Sequence, residues 1–257
     1  MFSFAFLSFL KEVDFMIKNI CAFTLISIPL FVMGVFLGKN DLLPEQVLSL
    51  QLSDVKSETA HVEPEGRNRE WLLEIFEDFS PKADVAFVGD SITDGVRWNE
   101  FFPNVRVINR GISNDKTADI LLRLDSIESA HPNKAFIMVG INDINNDVPL
   151  KDILANYEKI AQSLSDAGSE VYIQSTIQCN ADLCGDRAVA TVNKLNVGLK
   201  QIAKKYEYNF VDLGELSSVD GLDRRFTIDG VHLGLEGYRY WTRQITPLVS
   251  EDIALLD

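Results

Sequence analysis

Apolar positions follow two different patterns along this chain. Residues 20–38 are a single apolar run without a charge, flanked by Lys18 and Lys39, whereas beyond residue 67 short apolar runs alternate with amphipathic segments. A helix of 19 residues spans about 28 Å, close to the hydrocarbon thickness of a bilayer. The pattern predicts a membrane-associated N-terminal segment followed by a globular domain.

The N-terminal segment, residues 1–39, fits an uncleaved signal anchor better than a cleaved signal peptide. A secretory signal usually has a shorter apolar core and an A-x-A-like cleavage site, and neither fits residues 20–38 well. Residues 1–10 are apolar but too short to span, and the charged residues Lys11, Glu12 and Asp14 follow them. Met16 begins a cleaner signal, so the working start is Met1 or Met16, and the alternative for the first residues is an interfacial segment. We expect a domain outside the cytoplasm, membrane-anchored or secreted.

A polar tether is predicted between this segment and the globular domain. Residues 40–66 are acidic, contain Pro44 and Pro64 and show no periodicity. The domain, residues 67–257, should begin with a helix over Arg67–Phe79. Its predicted core-facing stripe contains Trp71, Leu72, Ile75, Phe76 and Phe79.

The domain alternates predicted strands with predicted helices. The strands are Val85–Val88, Val105–Ile108, Ala135–Val139, Val171–Gln174 and Phe210–Leu213. The helices are Thr117–Glu128, Leu150–Ala167, Arg187–Lys205 and Leu235–Leu255. Apolar strands with helical crossovers predict an α/β fold, a three-layer α/β/α sandwich around a parallel sheet. Ligands of such sheets bind beyond the carboxyl ends of the strands.

The net charge narrows the class of partner. A formal charge of −14 and a pI near 4.6 argue against a nucleic-acid surface, which requires clustered Lys and Arg. Small or neutral partners are expected, and the charge leaves the oligomeric state open.

A serine stands at the first strand-to-helix turn, in the segment Gly89–Gly95 (Gly-Asp-Ser-Ile-Thr-Asp-Gly). A Ser91 hydroxyl at this edge would lie near the positive end of a helix, which favours a nucleophile or an oxyanion. The alternative is an N-cap serine. The segment does not match the Gly-x-Ser-x-Gly elbow, because Thr93 replaces the second glycine.

A serine nucleophile needs a base, and three histidines are available. His61 lies in the tether, and His131 lies in a turn beside a proline, where a solvated histidine is expected. His232 follows the last strand, and Asp229 precedes it by three residues, close enough to orient its ring. An Asp-x-x-His pair can also cap a helix.

Oxyanion donors are available at two other strand ends. Gly111 ends the segment Asn109-Arg110-Gly111 and offers a backbone N–H without a side chain, while Asn142 offers a neutral amide. Considered alone, Gly111 and Asn142 could each be an ordinary turn residue. All four sites fall at predicted carboxyl strand ends, where one substrate could contact them together.

These residues resemble the four ordered blocks of the SGNH (GDSL-like) hydrolase superfamily: Gly89-Asp90-Ser91, Gly111, Gly140-x-Asn142-Asp143 and Asp229-x-x-His232. The resemblance covers residues 84–257. It implies a flavodoxin-like five-stranded sandwich, with Ser91 as nucleophile, His232 as base and Asp229 as its orienter. It further implies that the Ser91 N–H, the Gly111 N–H and the Asn142 amide bind the oxyanion. The superfamily needs no metal or other cofactor.

Cys179 and Cys184 follow the fourth strand. A metal pair would need a second pair of ligands, which the sequence lacks, so we expect a disulfide that shapes one wall of the site.

The resemblance implies a carboxylic ester hydrolase, and similar secreted proteins favour a short acyl group, acetyl, on a glycan or small molecule. Trp98, Phe101 and Phe102 could stack on a sugar or belong to the core. The rim is expected to carry polar groups from Arg97–Asn99 and Asp223–Arg225. Two alternatives remain: a lysophospholipase or thioesterase with a longer acyl chain, and a catalytically silent glycan-binding module.

Overall fold

Five parallel strands form the centre of the domain in a computed structural model that describes residues 65–250. They are β1 (Val85–Gly89), β2 (Val107–Gly111), β3 (Lys134–Met138), β4 (Glu170–Gln174) and β5 (Asn209–Val211). Their order is β2-β1-β3-β4-β5, and every neighbouring pair is parallel. This is a flavodoxin-like order, so the predicted α/β class and parallel sheet are confirmed.

The described helices connect and flank these strands. They are α1 (Glu65–Asp78), α2 (Ser91–Asp94), α3 (Trp98–Phe101), α4 (Thr117–Leu121), α5 (Leu124–Glu128), α6 (Ile141–Asn145), α7 (Leu150–Asp166), α8 (Ala181–Tyr206) and α9 (Leu235–Ser250). A short hairpin of β6 (Ser217–Ser218) and β7 (Gly221–Leu222) follows β5. Within residues 65–250, no helix has the length and apolarity needed to cross a membrane. The predicted anchor, residues 40–64 of the predicted tether and residues 251–257 lie outside the described part. The tether prediction is wrong for residues 65 and 66, because α1 begins at Glu65.

Both faces of the central strands are buried, which explains their continuous apolar sequence. All five residues of β1 and of β3 are buried. The ring of Trp98 stacks on Phe87, with ring centroids 3.9 Å apart, and meets Trp241 edge-on. Trp98 is fully buried and Phe102 is 5 % exposed, so both belong to the core. A sugar-stacking role for these two side chains is therefore excluded.

The second strand begins and ends later than its apolar run predicts. Gly89 of β1 pairs with Gly111 of β2, which extends β2 through Asn109 and Arg110. The prediction stopped before these polar residues because they are typical of loops. Both side chains donate hydrogen bonds to main-chain carbonyls. Asn109 donates to the Thr93 carbonyl, among others, and Arg110 donates to the Ser126 carbonyl.

Three helices differ from their predictions. The predicted helix over residues 117–128 is two short helices, interrupted where Leu122 turns to solvent and Arg123 turns inward. Helix α8 begins earlier than predicted and contains a kink at Gly185, whose φ is +79°. The α1 stripe is wrong for Trp71 and Phe79, which are 57 % and 71 % exposed, whereas Phe76 is buried.

Candidate active site

The first strand-to-helix turn presents a serine at the carboxyl edge of the sheet. Asp90 follows β1 and caps α2, accepting the Ile92 N–H at 3.0 Å. Ser91 is the first residue of α2, so its N–H has no intrahelical partner. Because Asp90 provides the cap, the Ser91 hydroxyl is available for a different contact.

Close packing fixes the position of this turn. A Cβ atom added to Gly89 would lie 2.2 Å from Thr93 Oγ1 and 2.3 Å from the Met138 carbonyl oxygen. Neither distance is sterically possible, so only glycine allows β1, β3 and α2 to approach this closely. Ile92 and Thr93 are buried.

A continuous line of contacts joins Ser91, His232 and Asp229. The His232 Nε2 atom lies 3.1 Å from Ser91 Oγ. The His232 Nδ1 atom lies 2.6 Å from Asp229 Oδ2. These are hydrogen-bond distances. The fold therefore brings together three side chains that are separated by up to 141 residues in sequence.

Local hydrogen bonds shape the loop that carries the histidine. Asp229 Oδ1 accepts the backbone N–H groups of Val231 and His232 at 2.9 and 2.7 Å. Thr227 Oγ1 accepts the Gly230 N–H at 2.8 Å and donates to the His232 carbonyl at 2.7 Å. The short Asp-x-x-His spacing thus lets one carboxylate hold both the backbone and the ring of the histidine.

The environment of Asp229 favours its ionised form. Burial by itself would raise its pKa, but hydrogen bonds from the His232 ring and from the backbone of His232 and Val231 outweigh burial. Together they lower the pKa of Asp229 to about 2. A negative charge at this position stabilises an imidazolium on the neighbouring ring.

A disulfide joins Cys179 and Cys184, with their Cα atoms 6.2 Å apart. The segment between them contacts the histidine loop directly, because the Asn180 N–H donates to the Gly230 carbonyl at 2.7 Å. Asn180 also caps α8 through its side chain. The disulfide segment therefore contacts the histidine loop directly and supports it.

Asn142 is positioned as a candidate oxyanion donor. It lies in α6, which begins shortly after the carboxyl end of β3. Its Nδ2 atom donates to the Asp115 carbonyl at 3.1 Å. An amide NH₂ group has two donors, so one N–H remains for a ligand. Asp143 is tied to the same region, because its carboxylate accepts the Thr117 N–H and hydroxyl at 2.9 and 2.6 Å.

Gly111 does not present a free donor in this structure. Its N–H donates to Asn109 Oδ1 at 2.8 Å. Asn109 is itself held, because its Nδ2 donates to three carbonyls, those of Thr93, Asp94 and Val96. A Cβ atom on Gly111 would lie 2.3 Å from the Asp94 nitrogen. A glycine is therefore required at position 111 because β2 approaches α2 closely there. The N–H that was predicted to bind the oxyanion is bonded to Asn109 instead.

Asp90 is a fully buried carboxylic acid beside the nucleophile. Its Oδ2 atom has no hydrogen-bond partner among the described residues. Burial is the main influence on this group and raises its pKa to about 7. The Asp143 and Asp115 carboxylates add to the rise, while the Ile92 N–H and His232 oppose it.

Two clefts flank the histidine loop. One, of about 360 Å³, is lined by Ile144 and Asn145, which follow Asn142, and by Val231, which precedes His232. The other, of about 410 Å³, lies against Asp229 and Gly230. Only the first is bounded by neighbours of both Asn142 and His232.

The predicted rim arginines are paired with acids. Arg224 pairs with Asp182, Arg225 with Asp223 and Arg97 with Glu100. These cations are therefore paired with carboxylates rather than free. Trp98, predicted at the same rim, lies in the core.

Some residues that support the candidate site were not predicted from the sequence, whereas the two other histidines were considered. His131 lies in an exposed turn, as expected, and His61 lies outside the described residues. Arg123 and its ion-pair partner Asp115 were missed. Arg123 gave a visible signal, because it stands between Leu122 and Leu124, whereas Asp115 lies in a polar stretch that is typical of a turn. Asn109 was seen only as part of a loop. Among residues 65–250, no group of three or more His, Cys, Asp or Glu side chains could hold a metal ion.

This sheet order defines a flavodoxin-like α/β protein, in which a serine turn after β1 and a histidine loop before the last helix form a candidate hydrolase site. Residues 87–240 match the GDSL-like lipase/acylhydrolase family. The match covers more than half of the chain, and the chain belongs to this family.

The chain is also similar to individual curated proteins over part of its length. The chain is 32 % identical over 92 residues to a platelet-activating factor acetylhydrolase IB subunit beta homolog from Drosophila melanogaster. That alignment covers 33 % of this chain and 41 % of the Drosophila protein. This chain spans only about two fifths of the length of the curated relatives that it matches.

Solved structures share the fold at low sequence identity. A GDSL-like lipase from Bacteroides thetaiotaomicron has a TM-score of 0.63 at 22 % identity, over 72 % of this chain and 98 % of that one. A variant of an acetyl xylan esterase from Geobacillus stearothermophilus has a TM-score of 0.55 at 19 % identity, over 66 % and 96 %. At this identity the likeness concerns the fold.

Proposed function

We propose that this family member is a serine esterase that uses Ser91 as nucleophile, His232 as general base and Asp229 as the residue that orients His232. The observation that carries this proposal is the line of contacts from Ser91 Oγ to His232 Nε2 at 3.1 Å and from His232 Nδ1 to Asp229 at 2.6 Å. This is the arrangement that activates a hydroxyl for attack on a carbonyl.

In the first half-reaction, Ser91 Oγ forms a bond to the ester carbonyl carbon while its proton moves to His232 Nε2. The carbonyl oxygen becomes an oxyanion, to which the Ser91 N–H and the free N–H of the Asn142 amide donate. The bond from the carbonyl carbon to the alcohol oxygen then breaks, and the alcohol leaves with the proton from His232. The acyl group remains on Ser91.

In the second half-reaction, water replaces the alcohol. His232 Nε2 accepts a proton as the water oxygen bonds to the acyl carbon, and the same two donors hold the second oxyanion. The bond to Ser91 Oγ breaks, and Ser91 regains its proton from His232. Asp229 stays ionised throughout and stabilises the imidazolium in both halves.

The proposed substrate is an ester with a short acyl group, acetyl, on a glycan or a similar hydroxylated acceptor. The Drosophila relative is named as an acetylhydrolase, and the Geobacillus neighbour as an acetyl xylan esterase. The pairing of the rim arginines with acids supports a neutral acceptor over an anionic one.

The catalytic proposal is tested with the full chain on p-nitrophenyl acetate. Ser91→Ala and His232→Ala should each reduce hydrolysis to below a few per cent of the starting rate while the protein stays folded. Ser163→Ala is the matched control, because its hydroxyl bonds Glu128 in a helix of the flanking layer. Clear residual activity in either site variant would overturn the assignment.

Acyl-chain preference tests the substrate proposal. The acetate should exceed the octanoate at least tenfold in kcat/KM, about 1.4 kcal/mol of differential transition-state binding. A preference for octanoate would favour a lysophospholipase or thioesterase. Binding of acetylated glycans without hydrolysis of any ester would favour a glycan-binding module.

We also propose that residues 20–38 hold the domain outside the cytoplasm, on the strength of their length and apolarity. A reporter that is active only outside the cytoplasm, fused after Asn40, should be active. Activity of a cytoplasm-only reporter at the same position would contradict the proposed orientation.

A further inference from the structure

A buried ion pair lies beneath the candidate active site. Arg123 Nε donates to Asp115 Oδ2 at 2.7 Å, and the two side chains are 2 % and 0 % exposed. Arg123 occupies the interruption between α4 and α5, so the break in that helix lets this side chain turn inward. Asp115 Oδ1 also accepts Arg69 Nε at 3.0 Å, whereas Arg123 Nη1 has no hydrogen-bond partner among the described residues. Burying such charges is costly unless their geometry is well defined.

The guanidinium of Arg123 also binds the ends of two strands. Its Nη2 atom donates to the Gly89 carbonyl at 3.2 Å and to the Arg110 carbonyl at 2.9 Å. Gly89 is the last residue of β1, two positions before Ser91. One side chain therefore fixes the strand end from which the nucleophile turn departs.

Asp115, the ion-pair partner of Arg123, belongs to the segment that orients the side-chain amide of Asn142, the candidate oxyanion donor. The main-chain carbonyl of Asp115 accepts Asn142 Nδ2 at 3.1 Å. The Asp115 N–H closes a turn onto the Ile112 carbonyl, and Asn114 in this turn has a φ of +66°. A shift of Asp115 would therefore turn the amide of Asn142 relative to Ser91.

We propose that the Asp115–Arg123 pair is a positioning device that sets the separation between Ser91 and the Asn142 amide. This inference rests on the proposed function, in which these two residues supply the nucleophile and an oxyanion donor. The pair touches neither the substrate nor the reacting atoms. It acts by holding the Gly89 carbonyl and the Asp115 carboxylate to one rigid planar group. The main chain of Asp115, whose carbonyl accepts the Asn142 amide, is thereby kept in place.

The chain offers a matched control in a second buried arginine. Arg110 and Arg123 are each 4 % exposed. The guanidinium of Arg110 donates to the Ser126 carbonyl and Ser80 Oγ and lies over the Phe76 ring. Removing the Arg110 side chain therefore removes a buried charge without touching the contacts to Gly89 or Asp115.

The experiment compares Arg123→Lys, Arg123→Met and Arg110→Met in the full chain. Reactive sites are counted by titration with a p-nitrophenyl phosphonate, and kcat is expressed per titrated site. We expect Arg123→Met to lose about 10²-fold in kcat with KM within twofold, because small misplacements of catalytic groups have effects of this size. Arg123→Lys should recover part of the loss, and Arg110→Met should stay within threefold of the starting kcat.

A purely structural role makes the opposite prediction. Fewer sites would then be titrated, but kcat per titrated site would be the same for both arginine positions, and that result would overturn the proposal. Asp115→Asn keeps the side-chain volume and one acceptor, so it carries the test if both Arg123 variants fail to fold. It should lose at least tenfold in kcat per site, and an unchanged kcat would contradict the proposal.

The controls separate this inference from the proposed function. If Ser91→Ala retains hydrolysis, the assignment of the nucleophile fails and the positioning argument fails with it. If Ser91→Ala is inactive and kcat per site is unchanged in the Arg123 variants, only the positioning inference fails.

Discussion

The turn at Gly89–Asp94 and the loop at Thr227–His232 both reach the candidate active site, but they are held in different ways. In the turn, Asp90, Ile92 and Thr93 are buried, and packing leaves no space beside Gly89. In the loop, the side chains of Asp229 and His232 are 48 % and 42 % exposed. The nucleophile is thus positioned by the core, and the base by local hydrogen bonds.

This difference predicts that activity and stability separate for the half-exposed side chains of Asp229 and His232 and change together at the buried positions of the turn. A buried, close-packed segment cannot change without a loss of folding free energy. A half-exposed loop can lose a catalytic contact while the rest of the domain is unaffected. The predictions below test this contrast, from the largest expected free-energy effect to the smallest.

The largest effect is expected for Asp229→Asn. The amide cannot stabilise an imidazolium as the carboxylate does, so kcat should fall by up to about 10⁴-fold, about 5 kcal/mol. The free energy of unfolding should fall by only about 1 kcal/mol, because the side chain is half exposed and the amide oxygen can still accept the two backbone N–H groups. Steady-state kinetics and urea unfolding measure the two quantities. Asp182→Asn is the control, and a kcat within tenfold of the starting value for Asp229→Asn would contradict the assigned role.

Gly89→Ala should destabilise the fold by about 3 kcal/mol or more. The added methyl would overlap both Thr93 Oγ1 and the Met138 carbonyl, and one of these neighbours is main chain. Gly234→Ala is a milder counterpart, because its added Cβ would meet the exposed Ile228 side chain at 3.3 Å. Urea unfolding of the two variants should differ clearly. Equal stability would mean that the turn is less tightly packed than described.

The buried Asp90 predicts a pH dependence of stability. Its pKa is about 7 in the folded protein and close to the ordinary aspartate value when unfolded. Between these values the folded state binds more protons, so its contribution to stability falls as pH rises from about 4 to 7. The slope is at most about 1.4 kcal/mol per pH unit. The Asp90→Asn variant should lack this component when unfolding is measured across the same range. An identical slope in the variant would show that Asp90 is not its source.

Thr227→Val should have the smallest effect. The hydroxyl accepts the Gly230 N–H and donates to the His232 carbonyl, so its loss should cost about 1 kcal/mol of stability. Because these bonds shape the histidine loop, kcat should fall about tenfold. Thr246→Val removes a hydroxyl bonded within α9 and serves as control. A stability loss without any change in kcat would contradict the link between the hydroxyl and the base.

The chemical residues were predictable because each lies next to a recognisable strand end. Ser91 and Asn142 follow buried apolar runs, and Asp229 precedes His232 at a spacing that allows direct contact. The parallel pairing followed from the alternation of apolar strands and amphipathic helices, whereas the flavodoxin-like arrangement followed from the resemblance to the SGNH superfamily. These features depend on local sequence and on general rules of α/β folds.

The supporting contacts were not predictable, because they depend on distances between segments far apart in the chain. Nothing local in the sequence shows that Arg123 reaches the Gly89 carbonyl, 34 residues away. The same holds for Asn109, whose polarity suggested a loop. Its side chain instead donates from β2 to the Thr93 and Asp94 carbonyls of α2. Gly111 illustrates the limit most clearly, since its N–H was predicted to be free and is bound by Asn109.

The most direct test of the account is the site at which a phosphonate ester reacts with the full chain. A p-nitrophenyl phosphonate should add one phosphonyl group, located by mass spectrometry on Ser91, with loss of esterase activity in the same proportion. Labelling should be absent in Ser91→Ala and slowed at least about 10³-fold in His232→Ala. Labelling at another residue, or full activity after Ser91 is labelled, would contradict the assignment of Ser91 as nucleophile.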